Sequence, residues 1–457
     1  MRKSITLFYL LCFASLGIGQ SSILDTYIQE AINRNLGLKS KRLSVLKQES
    51  RIEQAKKLKG IRADINATYL LARGGRNIGF PVGDLFNPTY ATLNQLTNTN
   101  QFPTNLENIE TQLTPNNFLD AQFNISKPLL NSSIKYNQLI QEELIKLNSL
   151  DIEIVEEDLI LQIKTAYYNY HKSIHAEKVL NEAKELLLDV NDFNRKLIKY
   201  DKATPDILYD VEFQIENIES QRSAIVEQQV TVKALFNLLL NREMDTEIDI
   251  DNSLLENLQL ELESLSMLNE QAFLSRTEFK KIEVAQSVNE LNKERINKEK
   301  LPTLGINAGV GMQVEEFDFQ RYGPLFTVGL GFNMNIFDGG LRNKRIEEIQ
   351  IDQEILVNNK SQLQQKVEIE ILQHYYQLQT LNSQMLSEKS AVQFANKSYQ
   401  ATKRRYENDK AIQIELIQAQ NRITSSELNQ LLTQYDYLIK RAELDRAISK
   451  RSFTSEF

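Results

Sequence analysis

The chain has 457 residues, with 53 basic and 61 acidic side chains and a formal net charge of −8. This acidic balance argues against a nucleic-acid-binding protein, which needs a basic surface. A single cysteine, Cys12, excludes a framework of intramolecular disulfides.

The first residues have the pattern of an export signal. A charged start at Arg2 and Lys3 precedes the apolar run Ile5–Phe13, and small residues follow before Gln20. An apolar run of this length is too short to span a bilayer. We therefore expect residues 1–19 to be a signal peptide and the mature chain to be exported.

The distribution of glycine and proline predicts long helices. No glycine occurs between Asp84 and Leu304, and neither residue occurs between Leu341 and Phe457. Glycine costs about 1 kcal/mol and proline about 3 kcal/mol in a helix interior, so stretches without them can run as one helix. Apolar residues recur every three or four positions in these stretches, which predicts coiled-coil-like helical hairpins. Their turns are expected near 199–205 and 405–412.

Four segments alternate apolar and polar residues with the period of a β-strand. They are Ile61–Tyr69, Leu119–Ile125, Leu304–Val314 and Phe326–Ile336. A small soluble sheet with one wet face gives the same alternation. Strand length and the export signal favour strands that cross a membrane.

The strands and hairpins belong to an internal repeat. Residues 123–125 (Phe-Asn-Ile) are echoed by residues 332–334 (Phe-Asn-Met), and residues 199–201 (Lys-Tyr-Asp) by residues 405–407 (Arg-Tyr-Glu). The repeat divides the chain into three parts after the signal peptide, namely a first repeat at 20–240, an acidic connecting segment at 241–267 and a second repeat at 268–457. The first repeat carries an insertion at 73–117, which is rich in Asn, Thr, Gln and Pro and is predicted to be a long surface loop.

Four strands cannot close a transmembrane barrel by themselves, because the smallest single-chain barrels have about eight strands. The strands must therefore be pooled between chains. Three chains with four strands each give a twelve-stranded barrel, whereas two chains give eight strands, which is too tight for a useful pore. The predicted fold is mainly α with a membrane β-part, assembled as a homotrimer.

The repeat resembles the TolC-like outer-membrane efflux proteins. Residues 336–342, which include Asp338, Gly339 and Gly340, are similar to the strand-to-helix junction of that family, and residues 128–135, beginning at Pro128, look like its degenerate first-repeat copy. Residues 406–419 resemble the turn and return helix of the second hairpin. The chain departs from the family pattern where Asp409 and Ala203 replace the glycine of the two hairpin turns.

The resemblance implies a passive homotrimeric export duct, with a barrel in the outer-membrane lipid and an α-helical tunnel in the periplasm. Its implied partners are a periplasmic adaptor (membrane fusion) protein and an inner-membrane transporter of a tripartite efflux or type I secretion system. The pump selects the substrate, so the sequence does not separate drugs, metals and proteins. The alternative is a periplasmic coiled-coil adaptor or scaffold, which shares the signal peptide and a helical hairpin.

The resemblance also suggests which residues lie at the periplasmic entrance. Glu415 and Gln418 match positions where the family places acidic residues facing the tunnel, and one carboxylate per chain would form a ring that attracts cations. Lys410 and Asp409 would form the contacts that keep the entrance closed. In the alternative interpretation, all four are ordinary solvated residues of a turn and a helix.

The sequence predicts no catalytic, cofactor or metal site. His171 and His175 lie one helical turn apart, but there is no HExxH motif and no third ligand nearby. We interpret them as residues of a solvated helix. No serine lies in a GxSxG motif, so an enzyme is not expected.

Overall fold

A computed structural model describes residues 23–113, 116–255, 258, 261–321 and 323–450. The predicted signal peptide at 1–19, with Cys12, lies outside the described residues. Within them the helices are α1 (Ile23–Arg34), α2 (Leu36–Lys57), α3 (Val82–Thr97), α4 (Ser132–Lys199), α5 (Asp206–Leu239), α6 (Leu265–Ser275), α7 (Thr277–Lys298), α8 (Leu341–Glu407) and α9 (Gln413–Ala447). The strands are β1 (Arg62–Leu71), β2 (Asn77–Phe80), β3 (Ile109–Gln112), β4 (Asn117–Leu130), β5 (Thr303–Glu315) and β6 (Leu325–Asn333).

The contacts divide the chain into two compact units, which we describe separately. The first unit contains the described residues of Met1–Gln48, Leu144–Gln286 and Gln353–Phe457. The second contains those of Glu49–Glu143 and Ser287–Asp352. The hairpin turns lie in the first unit and the strands lie in the second.

Both long hairpins are confirmed at the predicted positions. α4 has 68 residues and α8 has 67, against about 11–12 in an average globular helix. The chain turns between the end of α4 at Lys199 and the start of α5 at Asp206, and again between Glu407 and Gln413. No helix in the described part of the chain combines the length and apolar character needed to cross a membrane.

Three clusters of buried side chains hold the first unit together. The first joins α1, α4, α5 and α9 around Tyr167, Phe236 and Tyr435. The second lies nearer the turns and joins both hairpins, and the third joins α6, α7, α8 and α9. The buried positions follow the three-and-four spacing of a coiled-coil stripe. In α4 this stripe runs through Leu180, Ala183, Leu187 and Val190.

The second unit contains an antiparallel sheet with strand order β1-β4-β5-β6. Its register aligns apolar residues in one row across all four strands. Ala63 pairs with Ile125, Ile125 pairs with Ala308, and Ala308 pairs with Val328. The neighbouring row is polar or small, and it contains Asp64, Asn124, Gly309 and Thr327. The alternation read from the sequence therefore defines two chemically distinct faces.

One predicted strand is too long. The sequence pattern continues to Ile336, but β6 ends at Asn333. Asn333 pairs with Thr303, the first residue of β5, and the residue before Thr303 is Pro302, which has no N–H to donate. Among the described residues, those beyond Asn333 therefore have no strand partner, although apolar and polar residues continue to alternate in the sequence.

The insertion at 73–117, which is predicted to be a long surface loop, contains a helix and two strands. β2 and β3 pair antiparallel, and α3 lies between them in sequence. Asparagine side chains fasten the returning chain to α3, since Asn87 exchanges two hydrogen bonds with the backbone of Leu106 and Asn94 exchanges two with that of Phe102. Side-chain-to-backbone bonds replace an apolar core here, which explains why the sequence has no apolar period.

Candidate functional site at the hairpin tips

The two hairpin turns have the same backbone geometry. The N–H of Lys202 donates to the carbonyl of Leu197 at 2.9 Å, and the N–H of Lys410 donates to that of Arg405 at 2.7 Å. These are the six-to-one hydrogen bonds that close a helix C-terminus when one residue is left-handed. Each turn therefore ends its helix with a fixed, compact backbone.

The left-handed residues are Asp201, with φ 54°, and Asp409, with φ 57°. Aspartate enters this region more readily than most residues because its short side chain bonds locally. Asp409 thus occupies the position where the family pattern has glycine, as the sequence predicts. In the first turn, Ala203 is predicted to take the place of the glycine. This prediction is wrong by two residues, because Asp201 is the left-handed counterpart of Asp409.

A buried polar network joins the two hairpins just above these turns. The amide Nδ2 of Asn194 on α4 donates to Oε1 of Gln413 on α9 at 2.8 Å. The hydroxyl of Tyr406 on α8 donates to Oδ1 of Asn194 at 2.6 Å. Nε2 of Gln413 donates to the carbonyl oxygen of Ile207 on α5 at 2.7 Å. Three side chains thus connect the ends of four helices.

The network is enclosed by apolar side chains. Asn194 is completely buried, and Gln413 and Tyr406 are each 8% exposed. Val190, Val211 and Leu416 belong to the surrounding cluster. Burial, followed by the nearby Asp409 carboxylate, raises the pKa of Tyr406, so its hydroxyl remains a donor at neutral pH. In these surroundings a lost partner leaves a buried polar group unsatisfied, which makes the network specific for one arrangement of the hairpins.

Of the four residues predicted at the entrance, Glu415 has the most defined environment. Its Oε2 lies 3.2 Å from Nη2 of Arg405, and the two side chains are 42% and 54% exposed. The same Nη2 of Arg405 donates to the carbonyl of Lys410 at 3.2 Å. Glu415 is therefore half-exposed and ion-paired within its own hairpin.

The side chains of Asp409, Lys410 and Gln418 are exposed in the protomer. Lys410 contributes to the turn through its backbone, whose N–H and carbonyl both bond to Arg405. The structure thus brings Asp409, Lys410 and Glu415 together at one turn. Their assignment to the entrance, and that of Gln418, stays a prediction.

Sequence reasoning missed Asn194 and Gln413, although a signal was present. Asn194 follows Val190 at the next position of the apolar stripe of α4, and Gln413 precedes Leu416 on the stripe of α9. An amide at such a position must find a partner when it is buried. A polar residue interrupting an apolar stripe near a hairpin turn is the pattern that marks Asn194 and Gln413 as amides in need of a partner, although it does not say which partner.

The residues predicted to form the strand-to-helix junction lie in a turn between β6 and α8. Gly339 and Gly340 have φ of 65° and 85°, which glycine adopts without strain. The Asp338 carboxylate accepts hydrogen bonds from the N–H of Gly340 at 3.0 Å and of Arg342 at 3.2 Å. Desolvation alone would raise the pKa of Asp338, but these bonds outweigh it and lower the pKa. Asp338 thus caps α8, as N-terminal aspartates do.

The first-repeat junction predicted at 128–135 begins inside a strand. Pro128 lies within β4, opposite Gly305, and the register shifts between Pro128 and Leu130. The capping residue is Asn131, whose Oδ1 accepts from the N–H of Ser133 at 3.0 Å. Asn131 is therefore the counterpart of Asp338, and Pro128 marks a strand irregularity.

The interpretation of the histidine pair is wrong. His171 is completely buried and His175 is partly buried, with its Nδ1 3.0 Å from the hydroxyl oxygen of Tyr435. They face the packed interior and not solvent. Among the described residues no group of three or more His, Cys, Asp or Glu side chains is arranged to hold a metal ion.

Solved structures of bacterial outer-membrane channels share this fold. The outer-membrane channel OprN has a TM-score of 0.71 at 11% identity, covering 93% of this chain and 89% of that one. CusC has a TM-score of 0.72 at 14% identity, with 93% and 91% covered. The open state of MtrE from Neisseria gonorrhoeae has a TM-score of 0.69 at 13% identity, with 93% and 88% covered. The chain thus has the fold of an outer-membrane channel.

A sequence comparison gives the same class independently. Residues 270–450 match the family of outer membrane efflux proteins. No curated protein sequence matches the chain. This match and the shared fold confirm the resemblance to the TolC-like outer-membrane efflux proteins.

Proposed function

We propose that this chain forms a homotrimeric, passive export duct across the outer membrane, opened and closed at its hairpin tips. The observation that carries the proposal is the four-stranded sheet, which has two chemically distinct faces. Among the described residues its edge strands, β1 and β6, each have one unpaired side. Three copies of the four-stranded sheet, joined β6 to β1, would pool twelve strands into one barrel with no free edge.

The exposed apolar face supports burial against lipid. Phe326 is 74%, Val328 80% and Leu330 70% exposed in the protomer. A contiguous apolar surface of this kind is rare on a monomeric soluble protein. The opposite face, with its amides, carboxylates and glycines, would line a water-filled lumen.

The tip network supports a closed resting arrangement of each protomer. Neutral hydrogen bonds hold the first hairpin against the second at Asn194, and their rupture would allow the tips to move apart. Closure by these neutral bonds, together with a ring of Glu415–Arg405 pairs, is a gate that a docking partner can open without any covalent chemistry.

The duct itself has no energy source in this proposal. A periplasmic adaptor protein would open the tips and an inner-membrane transporter would supply the substrate. The family and the structures compared above are channels and not enzymes, and we propose no catalytic residue for this chain.

Two adjacent substitutions in β6 test the membrane part of the proposal. Val328→Arg would face lipid and cost about 2–4 kcal/mol near the midplane, so outer-membrane trimers should be lost. Thr327→Arg would face the lumen and should leave trimers intact. Trimer yield is measured on unheated samples of the outer-membrane fraction. Equal yields from both variants would contradict the proposed orientation of the sheet.

A further inference from the structure

One histidine in the first unit has an unusual environment. His171 on α4 is completely buried, yet neither of its ring nitrogens has a hydrogen-bond partner among the described residues. A buried polar group without a partner lowers the stability of the fold. The channel function described above gives this residue no role.

The surroundings of His171 join the two repeats. Its ring centroid lies 4.5 Å from that of Tyr167, 6.1 Å from that of His175 and 6.3 Å from that of Tyr435 on α9. His175 in turn contacts the hydroxyl of Tyr435, with 3.0 Å between Nδ1 and the oxygen. A first-repeat helix and a second-repeat helix are thus packed together through two imidazoles and one phenol.

Other titratable and charged groups lie near this pair. Lys172 of α4 and Asp436 of α9 form an ion pair at 3.2 Å, and the charge of Lys178 on α4 opposes protonation of His175. The carboxylate of Asp251, in the segment between α5 and α6, favours protonation of His171. Tyr27 of α1 contacts Tyr167, with ring centroids 6.1 Å apart. Asp251 favours a charged His171, whereas burial and the charge of His175 oppose it.

We propose that His171 and His175 form a proton-sensitive latch between α4 and α9, which releases the packing of the two hairpins when it is protonated. This inference rests on the proposed function, because it assigns the latch to the hairpin movement that opens the duct. Protons are the ligand, and they bind better to the separated arrangement than to the packed one.

The direction of the pH effect follows from burial. Burial, and then the charge of His175, lowers the pKa of His171 from 6.5 to about 4, while Asp251 acts in the opposite sense. Burial also lowers the pKa of His175. The packed form is therefore fully favoured above pH 6.5, and its advantage is lost as the pH falls from 6.5 towards 4. Through His171 alone, the ratio of packed to separated forms falls roughly 30-fold between pH 7.5 and pH 5.

Hydrogen exchange of the purified full-length protein tests the latch without any transport assay. Protection of backbone amides in 167–180 of α4 and 428–440 of α9 is measured at about pH 7.5 and about pH 5, after correction for intrinsic exchange. We expect the opening equilibrium of the unmodified chain to rise roughly 30-fold at the lower pH. In His171→Phe, which removes the His171 proton site and keeps His175, the rise should be clearly smaller.

The third histidine supplies a matched control. His374 on α8 is also largely buried and lies 3.3 Å from Glu443, so His374→Phe should keep the full pH response of these segments. If His171→Phe does not fold, His171→Gln is the second uncharged variant. A pH response in the folded His171 variant equal to that of the unmodified chain would overturn the latch. The proposed channel is tested separately, by recording from the unmodified protein in planar bilayers. If that protein shows the expected exchange response but conducts no ions, the result counts against the channel and not against the latch.

Discussion

Polar contacts near the end of α9 and at the hairpin tips have opposite character. Near the end of α9, Arg446 pairs with Glu157 at 2.9 Å and Asp158 at 2.7 Å on α4, and with Glu278 at 3.0 Å on α7. At the hairpin tips, neutral hydrogen bonds join Asn194 of α4 to Gln413 of α9 at 2.8 Å and to Tyr406 of α8 at 2.6 Å. One junction is ionic and the other contains no charge.

The two junctions differ in what it costs to remove one of their members. Removing one member of a buried ionic group leaves uncompensated charges and costs about 3–5 kcal/mol, and the Arg446 side chain is only 9% exposed. A neutral hydrogen bond contributes about 0.5–1.5 kcal/mol. The ionic junction is suited to remain closed, whereas the tip network is suited to open and re-form. This difference is what a hairpin with a fixed base and a movable tip requires.

The largest expected effect comes from breaking the ionic junction. Arg446→Met leaves the carboxylates of Glu157, Asp158 and Glu278 without their shared cation, and should lower the free energy of unfolding by about 3–5 kcal/mol. Arg34→Met is the control, because its pair with Glu30 is 60% exposed on the arginine side and should be worth less than about 1 kcal/mol. Urea unfolding followed by circular dichroism measures both. A small effect at Arg446 would remove the contrast between base and tip.

An intermediate effect is expected at the tips. Asn194→Leu leaves the Gln413 amide and the Tyr406 hydroxyl without their partner, and should cost about 1–3 kcal/mol and raise single-channel conductance in planar bilayers. Asn421→Leu is the control, since Asn421 makes an exposed bond of 3.4 Å to Gln214 between α9 and α5. If both variants conduct alike, the buried network does not control opening.

The smallest change concerns ion preference. Glu415 and Arg405 form an exposed pair at 3.2 Å, so each protomer contributes both charges to the proposed ring. Glu415→Gln leaves the arginine and should reduce cation preference, while Arg405→Gln leaves the carboxylate and should increase it. Both shifts should grow at about 0.01 M salt, where the Debye length reaches about 30 Å. Reversal potentials measure the preference, and unchanged values in both variants would place the pair away from the ion path.

The fold was predictable because its main signals are local. Helix length follows from the absence of glycine and proline around α4 and α8, and the faces of β5 and β6 follow from alternation. The turn geometry was predictable in part, since Asp409 was placed correctly while the first turn was assigned to Ala203 instead of Asp201. That choice depends on which backbone carbonyl closes the helix, and the sequence pattern does not determine it.

The tip network and the structure of the insertion could not be predicted from local sequence patterns. Asn194 and Gln413 are distant in sequence and become partners only when the two hairpins pack, so no local pattern pairs them. In the insertion, Asn87 and Asn94 hold a returning segment through side-chain-to-backbone bonds, and these leave no apolar period. Amides on an apolar stripe and asparagines in a polar segment both require the tertiary structure before their roles are evident.

The most direct test of the proposed gate is a crosslink between the two hairpins at the tip network. Asn194→Cys and Gln413→Cys are combined in a Cys12→Ser background and treated with a short thiol crosslinker that a reductant cleaves, and single-channel conductance is recorded in planar bilayers. Crosslinking should hold the channel in a low-conductance state, and reduction should restore the higher conductance of the unlinked variant. Conductance that is the same before and after complete crosslinking would contradict a gate at the hairpin tips.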